Sequence, residues 1–105
     1  MVTTLAGVAG EAGSADGVGP EARFNRPWGI AVDRRGIVYV ADRINATIRA
    51  ISPAGTVHTL TGVAGEEGSV DGLGPKARLS APMGLAINAA GPMYLTDGLT
   101  VRRLY

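Results

Sequence analysis

The sequence predicts an all-β chain built from two tandem copies of a four-stranded antiparallel unit. Three observations carry this reading. The stretch GVAGEAGSADGVGPEARF at 7–24 returns 55 residues later as GVAGEEGSVDGLGPKARL at 62–79, and at that offset Val2–Asp42 and Val57–Asp97 agree at 22 of 41 positions. Short runs rich in Val, Ile, Thr and Tyr are separated by Gly, Pro and Asp at even spacing, the signature of strands joined by turns. No stretch carries a 3.6-residue apolar period long enough for a helix that would matter. A fixed internal period decides the architecture, and one four-stranded meander per repeat favours a propeller blade over a sandwich or barrel.

Each strand can be justified in order. The first, GIAVD at 29–33, is β-branched and buried in character. The tetrapeptide DRRG ends it in a hairpin turn, with Asp to start the turn and Gly to supply positive φ. IVYVAD at 37–42 is a strong strand by residue type. ATIRAI at 46–51 alternates, placing Ile48 and Arg49 on opposite faces. SPAG at 52–55 is a second turn, and TVHTLTG at 56–62 is the fourth strand. The second copy repeats the first three strands over 84–105. Its register slips by two residues after Asp97, so that TVRRLY at 100–105 matches TIRAIS at 47–52. A length change there marks an exposed turn. In this copy Asn88, Ala89 and Ala90 replace Asp33, Arg34 and Arg35, and Pro92 replaces Ile37, removing one backbone donor at the strand start.

Composition narrows the function classes. The 105-residue chain is 46% hydrophobic with a formal net charge of +1, which suits a folded domain. That balance offers no basic footprint for nucleic acid. No apolar run reaches the roughly 18 residues that span a bilayer, so neither nucleic acid nor membrane is an expected partner. The absence of cysteine excludes disulfides and thiolate sites and leaves the compartment open.

The segment FNRPWGIAVDRRGIVYVADRINATIRAISPAGTVHTLTG at 24–62 resembles an NHL repeat, the blade unit of NHL β-propellers. The glycine-rich stretches resemble the long connections between blades in bacterial NHL proteins. The resemblance implies that strands run from the innermost outward. It makes 29–62 a complete blade, 84–105 three strands of a second, and VTTLAG at 2–7 an outer strand with no blade of its own. The segments 8–28 and 63–83 become the blade connections. An unpaired edge together with a donor strand implies head-to-tail association, in which residues 2–7 of one copy complete the second blade of the next. Six blades are usual for this family, so a homotrimer is expected, with a homotetramer as runner-up. The phase of the repeats also suggests a repeat fragment or an engineered chain.

The glycine-rich segments then read as structure. They have no Lys-Ser/Thr pair for a phosphate loop, and Glu11, Asp16, Glu66 and Asp71 are too sparse for a calcium loop. Asp16-Gly17 and Asp71-Gly72 are turn signals, Arg23 and Arg78 are expected to tie the connections to carboxylates, and Phe24 and Leu79 to plug the seams between blades. Asp42 and Asp97 recur at one strand end, and Arg49 and Arg102 in the next strand. They read as structural cross-strand ties worth roughly 0.2–1 kcal/mol each. Trp28, matched by Met83, either packs between blades, the favoured reading, or forms a ligand platform at the channel mouth. His58, the lone histidine, lies in an outer strand. The sequon Asn45-Ala46-Thr47 carries little weight outside a secreted protein. No catalytic set, metal site or cofactor is expected. The function expected is a non-catalytic, self-assembling scaffold with an unknown protein, peptide or glycan ligand. The alternatives are a six-bladed hydrolase or lyase with a central metal, and a lectin-like or peptide-binding propeller.

Overall fold

The computed structural model describes residues 1–105. Its first sheet contains β1 (Gly17–Val18), β2 (Pro27–Val32), β3 (Val38–Asp42), β4 (Thr47–Ile51) and β5 (Thr56–Thr61), in the order β1-β5-β4-β3-β2. The second sheet is the meander β6 (Pro82–Ile87), β7 (Met93–Asp97) and β8 (Thr100–Leu104). All pairs within both sheets are antiparallel. The strands of the two meanders fall where the repeat places them, shifted by a residue or two at their ends, whereas residues 2–7, expected as an outer strand, form no strand within the single chain. β1, a two-residue edge strand ahead of a single 3-10 turn (Gly19–Glu21), is an addition the sequence pattern did not reveal.

Local chemistry sets the turns. Asp33 N–H donates to the Ile37 carbonyl and Gly36 N–H donates back to the Asp33 carbonyl at 3.1 Å, with Gly36 at φ 84°. The Asp33 carboxylate also accepts from the N–H groups of Arg35 and Ile37. In the second copy the Asn88 side-chain oxygen accepts from Ala90 N–H alone, because Pro92 has no N–H to offer.

The sheets pack face to face, with β2 beside β6. The core between them joins Ala41, Ala46 and Ile48 to Leu79, Met93 and Leu95, flanked by Tyr39, Leu60, Leu85, Ile87 and Leu104. Near the β2–β6 contact the backbones touch: a Cβ at Gly29 would collide with the Met83 carbonyl. A second cluster, Ala22, Val40, Ile51 and Val57 with Phe24 and Val38, covers part of the far face of the first sheet.

Two faces stay open. On the first sheet Trp28, Ile30 and Val32 are exposed, with Leu5 exposed beside them, and on the second Leu99, Val101 and Tyr94 are exposed. The accessible surface is 6283 Å², against about 5,500 Å² expected for a monomer of this mass.

Candidate functional site: arginine clamps and an open strand edge

Each sheet is held to its glycine-rich connection by one arginine. Arg49 projects from the centre of β4 toward the connection that precedes β2. One guanidinium nitrogen donates to the Asp42 carboxylate at 3.0 Å and to the Arg23 carbonyl at 2.8 Å. The other donates to the Ala15 carbonyl and to Asp16, both at 2.8 Å. The guanidinium also lies 4.8 Å from the Phe24 ring centroid, in cation–π range. Arg102 on β8 repeats the set, donating to Asp97, Arg78 O, Val70 O and Asp71 at 2.7–2.9 Å. The planar fork of arginine can reach four acceptors at once, which a lysine could not.

The clamp carboxylates also grip backbone. Asp42 accepts from Asn25 N–H at 2.8 Å and from the Asn45 amide at 2.6 Å. Asp97 accepts from the N–H groups of Ser80 and Ala81. Each aspartate thus fixes the point where a connection turns into the innermost strand. The burial corrects the sequence expectation of an ordinary cross-strand pair: the Arg49 and Asp42 side chains are 1% and 0% exposed. β4 is buried on both faces, so its alternation did not mark a solvent side.

Arg23 and Arg78 pair with Glu11 and Glu66 at 3.1 and 3.0 Å at half-exposed positions. Each also donates to two nearby carbonyls, closing the connection on itself. Leu79 sits in the core between the sheets, and its counterpart Phe24 sits half-buried on the open face of the first sheet. Trp28 is exposed, with the Arg43 guanidinium 5.3 Å from its ring centroid, and Met83 is half-buried. His58 is exposed on β5. No three His, Asp or Glu side chains gather closely enough to hold a metal ion.

The role of Asn45, named from the sequence only as part of a sequon, escaped the sequence reading. Its amide donates to both Asp42 and the Gly13 carbonyl, so it is a buried member of the clamp rather than a surface sequon. Repetition could not reveal it, because the second copy lacks the two residues that would include its counterpart. Asp33 and Tyr39 form a further pair, the hydroxyl donating to the carboxylate at 2.9 Å. Burial works to raise the Asp33 pKa, but the hydrogen bonds from Ile37, Tyr39 and Arg35 and the Arg35 charge outweigh it and bring it below its ordinary value. Burial and the neighbouring Asp33 raise the Tyr39 pKa.

The outer edge of the second sheet differs from that of the first. In the first sheet β5 lies between β4 and β1. Thr59 of β5 donates to Asp16 through its N–H at 3.3 Å and its hydroxyl at 3.1 Å. In the second sheet no strand lies outside β8. A cavity of about 360 Å³ runs between β8 and the connection, lined in part by Asp71, Gly72, Val101, Arg102 and Arg103.

The teneurin NHL domain family matches residues 7–73. The chain belongs to the NHL-repeat family. Two relatives match over most of its length. It is 37% identical over 86 residues to the Arabidopsis thaliana protein SUPPRESSOR OF QUENCHING 1, chloroplastic, covering 81% of this chain and 8% of that protein. It is 32% identical over 88 residues to NHL repeat-containing protein 2 of Bos taurus, covering 81% of this chain and 12% of that protein. Among solved structures, a Bacteroides thetaiotaomicron protein of unknown function superimposes with a TM-score of 0.88 at 25% identity, over 93% of this chain and 26% of that one. This NHL chain therefore has an all-β, propeller-type fold and spans a small part of the proteins it resembles.

Proposed function

We propose that this NHL chain is a non-catalytic scaffold of two propeller blades that closes into a six-bladed ring by head-to-tail association of three copies. The observation that carries the reading is the equivalence of a covered face and an open one. Within the chain, Leu79, Leu85, Met93 and Leu95 of the second blade pack on Tyr39, Ala41, Ala46 and Ile48 of the first, with Leu60 of β5 against the same cluster. The repeat counterparts of the first set are Phe24, Ile30, Val38 and Val40, which line an uncovered groove together with Leu5, the counterpart of Leu60. The counterparts of the second set are Tyr94, Thr96, Leu99 and Val101, all exposed. The two open faces are thus copies of the two halves of an existing seam, and a second copy brings them together by the same operation. Repeating one rotation closes a ring, and rings of about 4–8 blades are the range in which propellers close.

The ring reading is tested by blocking the seam. Gly84 is the counterpart of Gly29, and on its open side nothing but Thr96 Oγ1 lies near a Cβ position. Gly84→Val leaves each chain free to fold while obstructing the neighbour's Trp28 backbone. Sedimentation should report a folded single chain for this variant and a larger assembly for the parent. An unchanged mass would refute the seam.

A ligand-binding role rests on the Trp28–Arg43 stack, an exposed aromatic with a cation on its face. Peptide and glycan arrays probed with the parent and Trp28→Ala test it. Loss of every specific signal in the variant supports the platform, and identical profiles dismiss it.

A further inference from the structure

We infer that the edge of β8 is a register-specific acceptor for residues 2–7 of a second copy, read at one position by a threonine latch formed with Asp71 and Arg102. The inference rests on the ring reading and adds how the joint recognises its strand.

The first blade supplies the template. There β5 pairs with β4 through Ile51↔Val57, Ala50↔His58 and Arg49↔Thr59, and with β1 through Gly17↔Val57 and Val18↔Thr56. Carried to the second blade by the repeat, these become Leu104↔Val2, Arg103↔Thr3 and Arg102↔Thr4 on one side and Gly72↔Val2 and Leu73↔Met1 on the other. An incoming strand would gain backbone pairing on both edges, the usual source of affinity in β-augmentation.

The latch position is already half built. In the first blade Thr59 closes over Asp16, which Arg49 holds in place. In the second, Arg102 holds Asp71 at 2.9 Å, with Arg102 12% exposed and the Asp71 side chain 101% exposed. A charged acceptor, held by a clamp and facing the cavity, has no strand over it. The residue of the 2–7 segment that corresponds to Thr59 is Thr4, which carries the same donors.

The donor segment is also placed for the task. Residues 2–5 are exposed and lie in no sheet. Its end is anchored as β5 is: Gly7 N–H donates to the Gly19 carbonyl at 3.1 Å, as Gly62 N–H donates to the Gly74 carbonyl at 3.2 Å. The Leu5 carbonyl lies 4.0 Å from the ideal Cβ position of Gly19, and the Leu60 carbonyl 3.9 Å from that of Gly74. Leu5 to Gly7 therefore leave the first blade in the orientation that β5 uses.

Cross-linking tests register and a mutant cycle tests the latch. The chain has no cysteine, so Thr3→Cys with Arg103→Cys creates the only pair, directly opposed when the proposed register holds. Mild oxidation should give intermolecular disulfides. Thr3→Cys with Thr100→Cys, three residues out of register, should give few. In the cysteine-free chain, Thr4→Val and Asp71→Asn should each raise the dissociation constant of the assembly about tenfold, as expected for loss of a hydrogen bond to a charged group. The double variant should be no weaker than either single one. An assembly that forms without in-register cross-links, or with additive losses at Thr4 and Asp71, overturns the latch and leaves the ring. A parent chain that remains single at every concentration overturns both.

Discussion

Replacing Arg49 by methionine should be among the most damaging single changes in the first blade. Methionine keeps much of the aliphatic stem but removes the charge. Asp42 is then left fully buried with two donors, Asn25 N–H and the Asn45 amide, and no cation. Removing one partner of a buried pair costs about 3–5 kcal/mol. The carbonyls of Ala15 and Arg23 also lose their donor, which releases the connection from the sheet. Whole domains of this size are stable by about 5–15 kcal/mol, so the change consumes a large share of the total. With a urea m-value of about 2 kcal/mol/M, the midpoint should fall by roughly 1.5–2.5 M when followed by circular dichroism at one fixed chain concentration. Asp42→Asn combined with Arg49→Met removes both charges and should recover part of the loss. Arg102→Met should cost less, because Arg102 is partly exposed and Asp97 keeps two backbone donors. If Arg49→Met lowers stability by less than about 1 kcal/mol, the clamp is not what joins connection to sheet.

Leu79→Ala should cost about 2–5 kcal/mol by opening a cavity in the seam; Phe24→Ala should approach that cost only under conditions where copies associate, which denaturation at high and low chain concentration would separate. Gly29→Ala forces β2 away from the Met83 carbonyl and should destabilise the isolated chain, unlike Gly84→Val; thermal melts at low concentration compare them. The Asp33 pKa lies below its ordinary 3.8 in the folded chain, so its contribution is fully present above that value and is lost as pH falls through the lowered one. Asp33→Asn should flatten stability against pH in that acid window, and equal slopes for parent and variant would show that the turn carboxylate is not linked to folding. Deleting residues 1–7 should abolish assembly, whereas a truncated chain that kept the parent mass would rule out strand donation.

How much of this was legible in the sequence depended on periodicity. Strands were readable because β-branched and aromatic residues between Gly, Pro and Asp turns leave a local signal, and the repeat doubled it. The Asp42–Arg49 and Asp97–Arg102 partners were visible as recurring residues. Their burial was not, since a charged residue in an alternating strand reads as the solvent face unless the covering loop is known. β1 had no chance of being read: two residues, Gly17 and Val18, carry no period, and their pairing with Val57 and Thr56 is a long-range event. Asn45 was masked by the length difference between the copies. Thr59 over Asp16 joins residues 43 apart in sequence, a contact that only the folded connection creates.

The central claim is that the two open faces of this NHL chain are the halves of one seam, and solution mass tests it most directly. Light scattering coupled to size exclusion, on the 10.7 kDa chain, should give three times that mass with little dependence on concentration. A mass of one chain across the accessible concentration range would contradict the account.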